Sequence, residues 1–362
     1  MPQLTDLFDA LLVWGEGRGG AATGPGTGVA VLADRSALAP AVASGLVTDR
    51  TVVLVPEGDG AATDGAVTYT GELTESGSEA TVCDEFYLFT QDYSTSAYLS
   101  VIGPTLVRVF GEEDLAAFVA DADRARADGV FPDFLLAPAA RLADLPGLGG
   151  DASGDGPRRR VFVRPDGTVT TSPTGSPLGT VGDGLDALEG RWQALNDAAA
   201  APCAVCLGDA VPATVRDRAL LDRPWLRGYL DAVDALRDLT VRGVTGARVS
   251  GWGHTLVPGL HAATPDTAGP PRTTGTAGAS GAPGASGVVL AWTAQEAFLR
   301  DPARRRTFRF NRDAAAAVEA VLVTGSVAAA AEWVPATSAA QAADQLAAVG
   351  IAAAPRPLAV GA

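Results

Sequence analysis

The stretch RTFRFNRDAAAAVEAVLVTG, residues 306–325, carries the clearest structural signal in the chain. Polar and aromatic residues alternate over 307–310, and this period of two predicts a short strand. Asn311 follows, and asparagine is a favoured N-cap because its side-chain oxygen accepts from amides of the first helical turn. We therefore predict a helix from Arg312 to about Val323, closed by Gly325.

The flanking residues extend this unit to three strands followed by three helices. Apolar runs at 288–293 and 297–301 predict two further strands, which precede the strand at 307–310. A turn joins the second of them to that strand. Ser326 is expected to begin a second helix that runs through Trp333.

A third helix is predicted at the end of this unit. Ser338 and Gln341 match an S-x-x-Q capping box, and the helix is expected to end at Gly350. Leu346 and Val349, with small alanines around them, give it an apolar stripe.

Composition excludes several classes of function. The chain has 362 residues and a formal net charge of -15, which disfavours binding to nucleic acids and anionic membranes. All 27 basic residues are arginine, so neither a Schiff-base lysine nor a P-loop lysine is present. No apolar run is long enough to span a membrane, and three cysteines are too few for a disulfide framework. We expect a cytoplasmic protein that binds neither membranes nor nucleic acids.

Two segments rich in small and turn-forming residues predict the domain boundaries. They are 146–157 and 262–287, and both are interpreted as linkers. The resulting blocks are a strand-rich α/β domain at 1–145, an α+β block at 157–261 and the strand-helix unit at 288–354. The expected fold class is therefore a mixed α/β or α+β multidomain protein.

The middle block contains the candidate metal ligands. Cys203 and Cys206 form a C-x-x-C pair, and His254 and His261 are the two histidines of the chain. Together they could form a Cys2His2 zinc site, although the spacings are wider than usual. The alternatives are a redox pair of thiols and two inert, buried cysteines.

Arginines cluster around the strand predicted at 307–310. Six of them lie within 300–312 and balance the six acids of 288–354, so this block is neutral while the rest of the chain carries the negative charge. We interpret the cluster as a basic face for an acidic partner. If the third strand lies at a sheet edge, an extended peptide could pair with its backbone.

The block at 288–354 resembles the winged-helix RiPP recognition element of the pyrroloquinoline-quinone peptide chaperone family. Phe310-Asn311, Gly325 and the run from Leu346 to Gly350-Ile351 match the pattern of that family. The resemblance implies a C-terminal winged helix-turn-helix that binds the leader of a precursor peptide between its third strand and third helix. The peptide-binding residues predicted from the cluster and the resemblance are Arg305, Thr307, Phe308, Arg309, Phe310, Gln341, Gln345, Leu346 and Val349.

The middle block is similar to the tail of the SPASM-type auxiliary-cluster domain of radical SAM enzymes. The similarity covers the PDG hairpin at 165–167, the PLG step at 177–179 and the C-x-x-C pair. Thr170, Thr171 and Ser172 stand where that family has a cysteine, and three cysteines cannot supply the usual four thiolates of an iron–sulfur cluster.

An acidic chain of this length, without recognisable catalytic residues and ending in a recognition element, resembles the stand-alone RiPP recognition proteins, in particular those of daptide-type clusters. This resemblance implies a non-catalytic adaptor without cofactors, which presents a precursor peptide to separate modifying enzymes. The alternatives are a metal- or thiol-dependent enzyme that uses Cys203, Cys206, His254 and His261, and a winged-helix transcriptional regulator. The acidic total charge makes the regulator the weakest of the three.

Overall fold

The computed structural model describes residues 4–18, 26–58, 65–152, 154–201, 203–263, 287–302 and 304–351. The chain divides into two compact units, Met1–Ala120 with Pro132–Leu226 and Asp121–Phe131 with Arg227–Ala362. Both contain helices and strands, which confirms the expected mixed α/β class.

The first unit is built on one mixed sheet. Its elements are α1 (Leu4–Glu16), β1 (Val29–Leu32), α2 (Leu38–Ala43), β2 (Val52–Pro56), β3 (Val67–Gly71), β4 (Glu79–Val82), β5 (Phe86–Asp92), α3 (Tyr93–Ser96), β6 (Thr105–Arg108), the first part of α4 (Glu112–Asp128), α5 (Asp133–Leu136), β7 (Ala140–Leu142), β8 (Arg160–Val163), β9 (Thr168–Thr170), β10 (Gly179–Thr180), α6 (Leu185–Asp197) and α7 (Ala213–Leu221). The strand order is β10-β9-β8-β1-β2-β3-β4-β5-β6-β7.

The central strands of this sheet are buried on both faces. β1 pairs in parallel with both β2 and β8, and its Ala30 and Leu32 pack with α2 and α6. Its Val29 and Val31 point to the opposite face and pack with α1. Burial on both faces explains why these strands are continuous apolar runs rather than alternating patterns.

The predicted break at 146–157 does not separate two domains. Val29 of β1 pairs with Arg160 of β8, so one sheet includes residues on both sides of this segment. A buried 3₁₀ helix, Leu145–Leu148, overlaps its start. Local composition indicated a linker because the partners that bury these residues lie far away in sequence.

The second unit holds the strand-helix section that the sequence predicts. Its elements are the end of α4, α8 (Leu226–Val241), β11 (Arg248–Val249), α9 (Leu260–Ala263), β12 (Val289–Trp292), β13 (Glu296–Asp301), β14 (Arg306–Asn311), α10 (Arg312–Thr324), α11 (Val327–Ala330) and α12 (Ala336–Ala348). The sheet order is β11-β12-β13-β14, and all its pairs are antiparallel.

This sheet also crosses a predicted boundary. Arg248 and Val249 belong to the block predicted at 157–261, yet they pair with Trp292 and Ala291. Most of the predicted linker at 262–287 lies outside the described residues. The compact units therefore differ from the predicted blocks because long-range strand pairing joins segments that composition divides.

The N-caps of the three helices agree with the sequence at two positions. The Asn311 side chain accepts from the Ala314 amide at 2.9 Å, and Ser326 accepts from the Ala329 amide at 3.2 Å. The capping box predicted at Ser338 and Gln341 is wrong, because α12 begins at Ala336, directly after Pro335. Proline is well suited to the start of a helix because it has no amide hydrogen to leave unpaired.

None of the helices in the described part of the chain has the length and apolar composition needed to cross a bilayer.

Candidate functional site

The outer edge of β14 is the first candidate site. β14 is the terminal strand of its sheet, and it pairs on its inner side with β13 from Asn311 to Arg306. In the described residues, no backbone hydrogen bond joins β14 to a segment outside this sheet and the helix that follows it. Its outward amides and carbonyls can therefore pair with another extended chain.

The side chains near this edge give it a basic character. Arg305 and Arg306 are exposed, and none of the ion pairs found among the described residues involves them. Arg309 is 70% exposed and pairs with Glu296 on the neighbouring strand. An acidic segment alongside β14 would therefore meet two arginines that are not already neutralised.

The two faces of β14 have different surroundings. Phe308 and Phe310 are half-buried and pack against the apolar cluster beneath α10 and α12. On the other face, the Thr307 hydroxyl donates to the Asp238 carboxylate at 2.7 Å and accepts from Arg300 at 3.2 Å. These contacts hold the strand in place and leave its outer backbone as the accessible feature.

The predicted contribution of α12 to the site needs a correction. Gln341 and Gln345 are exposed and lie one helical turn apart. Leu346, in contrast, is 2% exposed and belongs to the core of the unit, and Val349 packs half-buried against the same core. Leu346 therefore stabilises the fold and does not line an open groove.

The second candidate site is a cluster of two cysteines and a carboxylate in the first unit. The Sγ atoms of Cys203 and Cys206 are 2.7 Å apart, and both thiols are free. Oδ2 of Asp155 accepts from Cys206 at 2.8 Å and from Cys203 at 3.4 Å. Among the described residues, this is the group of three potential metal ligands whose ligand atoms lie close together.

A buried ion-pair network surrounds this cluster. Arg160 donates to both oxygens of Asp155, at 2.8 and 3.2 Å, and to Asp144 at 2.8 Å. Asp144 also pairs with Arg108, and the side chains of all four residues are buried. Two arginines and two aspartates leave the network without net charge. Such a network is costly to break, because removing one partner leaves an uncompensated buried charge.

The environment keeps the Cys206 thiol protonated. Burial raises the pKa of Cys206 well above its ordinary value, and the neighbouring Cys203 and the Asp155 carboxylate raise it further. Burial alone would also raise the pKa of Asp155, but the Arg160 guanidinium outweighs this effect and holds that pKa below its usual value. At rest, Cys206 is therefore a neutral thiol beside an ionised carboxylate.

The three residues that depart from the SPASM pattern lie next to this cluster. Thr170, Thr171 and Ser172 are fully buried. The Ser172 hydroxyl donates to the Cys206 carbonyl at 2.7 Å, and the Thr174 hydroxyl donates to the same oxygen at 3.2 Å. These hydroxyls position the C-x-x-C segment but add no thiolate to it.

The contacts of the two histidines lie within the second unit. Both histidines belong to that unit, whereas Cys203 and Cys206 belong to the first. His254 lies against the backbone of Gly129, so a side chain at that glycine would collide with its ring. His261 places Nε2 3.0 Å from Ser250 Oγ and 3.5 Å from Glu319 Oε1. The Cys2His2 site stays a prediction, and among the described residues the cysteines group with Asp155 and not with a histidine.

Sequence reasoning missed the buried Glu319, which organises the loop at 250–257. Its carboxylate accepts from the Ser250 hydroxyl at 2.7 Å and from the amides of Leu256 and Val257 at 2.8 and 2.7 Å. Ser250 donates to Glu319, so the serine hydroxyl is held by the acid instead of being activated by His261. This arrangement is not that of a nucleophilic triad, in which the histidine bridges the serine and the acid.

Comparison with known protein families, curated proteins and solved structures finds no match to this chain.

Proposed function

We propose that this protein is a non-catalytic adaptor that binds the leader of a ribosomal precursor peptide along β14. It would then present the peptide to separate modifying enzymes of a peptide natural-product pathway. The proposal includes the winged-helix character of the second unit and a cytoplasmic location, since ribosomal peptides are made in that compartment. It rests on the sequence resemblance and on one structural observation, the open edge of β14.

The edge of β14 suits an extended ligand. Its six residues, Arg306–Asn311, span about 20 Å at the usual rise of a strand. A leader segment of similar length could form alternating backbone hydrogen bonds along it. Backbone pairing would provide affinity, and the side chains at the edge would provide selectivity.

Charge selects the type of leader. Arg305 and Arg306 are exposed at the start of the strand, and Arg309 is exposed in its middle. The rest of the chain is acidic, so an acidic leader would be repelled elsewhere and attracted here. We therefore expect the bound segment to carry aspartate or glutamate.

The test is a fluorescence-anisotropy titration of the full chain with a labelled peptide. The probe is the N-terminal half of a short acidic peptide encoded beside this gene, and random-sequence duplex DNA serves as a control for non-specific attraction. Saturable binding of the peptide at micromolar concentrations supports the proposal. Absence of binding, or equal binding of DNA, contradicts it.

A scan of backbone N-methylation in the same peptide tests the binding mode. Each methyl group removes one amide donor and leaves the side chains and charges unchanged. Pairing with β14 predicts that affinity falls at every second position, because alternate amides of a strand face its partner. Losses at every position beyond the first turn would indicate a bound helix, whose amides donate within the helix itself, and would contradict strand addition.

A charge reversal at the edge tests the basic face. Arg306→Glu should weaken binding of the acidic peptide, and the loss should be larger at low salt than at high salt because exposed charges are screened. Arg218→Glu is the matched control, since Arg218 is an exposed arginine of the first unit with a side-chain exposure of 85%. Equal losses in both variants would show that net charge, and not the edge, determines binding.

The enzyme that would use Cys203, Cys206, His254 and His261 together has no supporting observation in the described residues. The cysteines and the histidines lie in different units, and the metal-ligand cluster of the described residues contains no histidine.

A further inference from the structure

The cysteine cluster belongs to the first unit, whereas β14 belongs to the second. We propose that Cys203 and Cys206 are a reversible dithiol–disulfide pair, oxidised by small-molecule disulfides, with Asp155 as the proton acceptor. This inference is independent of the proposed adaptor function, because it uses residues of the first unit alone.

The spacing of the ligand atoms favours a disulfide over a metal ion. A tetrahedral zinc ion holds two thiolates at about 2.3 Å each, which places their sulfurs about 3.8 Å apart. The sulfurs of Cys203 and Cys206 are 2.7 Å apart, and the Asp155 oxygen is 2.8 and 3.4 Å from them. The cluster must therefore open to admit a metal, whereas the two sulfurs already face each other for bond formation.

The surroundings of Asp155 also oppose a metal ion. Both of its carboxylate oxygens accept from Arg160, and a guanidinium nitrogen of Arg160 lies 3.5 Å from the Cys206 sulfur. A cation in this cluster would compete with that guanidinium for the same oxygens. A fourth ligand is also missing from the cluster within the described residues.

The net charge of the buried site is the third argument. Arg108, Arg160, Asp144 and Asp155 are a neutral, buried set. A permanent thiolate would add an uncompensated charge to it, which is costly in a buried site. A disulfide leaves the net charge unchanged, because each thiol loses a hydrogen and both protons leave the site.

The reaction proceeds in two balanced steps. The Cys203 sulfur attacks one sulfur of a disulfide R–S–S–R, whose S–S bond breaks, and the thiol proton passes through Asp155 Oδ2 to the leaving R–S⁻. Cys206 then gives its proton to Asp155 Oδ2 and attacks the Cys203 sulfur, and the bond from Cys203 to R–S breaks. The second R–S⁻ leaves and takes this proton. Two electrons pass from the cysteine pair to the reagent, which departs as two R–SH molecules.

Burial controls access to the pair. Cys203 is 2% exposed and Cys206 is fully buried, whereas Cys83 is half-buried. We assign the first attack to Cys203 because it is the more exposed of the two. Reaction of the pair requires local opening of the first unit, so we expect it to be slower than reaction at Cys83.

The experiment counts free thiols in the full chain. The protein is equilibrated with mixtures of reduced and oxidised glutathione, quenched in acid, unfolded and alkylated, and the adducts are counted by mass spectrometry. Three thiols are expected under reducing conditions, from the three cysteines of the chain. Under oxidising conditions the pair should close, and any glutathione adduct should be confined to Cys83. Three free thiols at every ratio would overturn the proposal.

Two variants identify the residues. Cys83→Ser should retain the loss of two thiols without an adduct, whereas Cys206→Ser should accumulate glutathione on Cys203, since the second step has no sulfur. If Cys206→Ser does not fold, the Cys83→Ser variant still decides the outcome. Stoichiometric zinc that protects both thiols from oxidation until a chelator removes it would instead assign the cluster to metal binding.

Asp155→Asn tests the proton acceptor. The amide keeps the size of the side chain but cannot take up the thiol proton at neutral pH. Closure of the disulfide from the mixed intermediate should be slower, while the final number of free thiols stays the same. An unchanged closure rate in a folded Asp155→Asn protein would show that Asp155 only positions the cysteines.

Discussion

At the scale of single residues, the buried charges are explained by their hydrogen bonds. Glu319 is 1% exposed in an alanine-rich helix, a position where a carboxylate would normally be costly. Donors from Ser250, Leu256 and Val257 compensate for its burial. The acid therefore fixes the loop at 250–257 against α10.

The stability of the second unit should depend on the ionisation of Glu319. Burial alone would raise its pKa, but hydrogen bonds from His261, Ser250 and Val257 outweigh burial and hold the pKa below its ordinary value. A lowered pKa in the folded state stabilises the protein above the unfolded pKa, and this contribution is lost as pH falls through the folded pKa. Below about pH 4.3, the ordinary value of glutamate, the stability should therefore fall.

Glu319→Gln isolates this effect. The variant should be less stable than the wild type at neutral pH, because an amide cannot accept from all these donors, and the difference should shrink as the solution becomes acidic. Urea unfolding at several pH values measures it. Glu332→Gln is the control, because Glu332 is exposed in the same unit. A difference that does not change with pH would contradict the assigned ionisation.

At the scale of elements, α12 shows how a correct helix prediction can misplace a residue. Leu346 and Val349 predict the apolar stripe of α12, and both contact the core. The stripe indicates which face of the helix is buried. It does not indicate whether the protein's own core or a bound peptide covers that face. The structure assigns Leu346 to the protein core.

Leu346→Ala should therefore destabilise the fold by about 2–5 kcal/mol, the usual cost of truncating a buried leucine. Gln345→Ala, at the adjacent exposed position, is the control and should change the unfolding midpoint little. Chemical denaturation followed by circular dichroism measures both. Equal midpoints for Leu346→Ala and the wild type would show that Leu346 is not part of the core.

At the scale of the whole molecule, strand pairing determines the limits of the units. β11 comes from the block before the predicted linker and pairs with β12. Val257 and Leu260, from the same block, join the core beneath α10. The strand-helix section at 288–354 therefore depends on residues that lie before the predicted linker.

A fragment of residues 288–362 should consequently fold poorly. It lacks β11, the apolar contacts of Val257 and Leu260, and the donors that compensate for Glu319. We expect poorly dispersed amide resonances for this fragment and better dispersion for 227–362, which restores these residues. A well-dispersed spectrum from 288–362 would show that the section folds as an independent domain.

The sequence alone determined the local structure of the second unit. Alternation at 307–310, the N-cap at Asn311 and the glycine at 325 each act within a few residues of their position, so a local pattern is sufficient to recognise them. The sequence also identified Cys203 and Cys206 as a pair, because their spacing is local.

Tertiary structure alone decided the rest. The pairing of β1 with β8, the addition of β11 to its sheet and the packing of Asp155 against the cysteines join residues that are far apart in the chain. No local pattern encodes such contacts, because they depend on which distant surfaces can be buried together. The positions of the two histidines also depend on the tertiary structure. These residues resembled metal ligands in composition, but the fold placed them in a different unit from the cysteines.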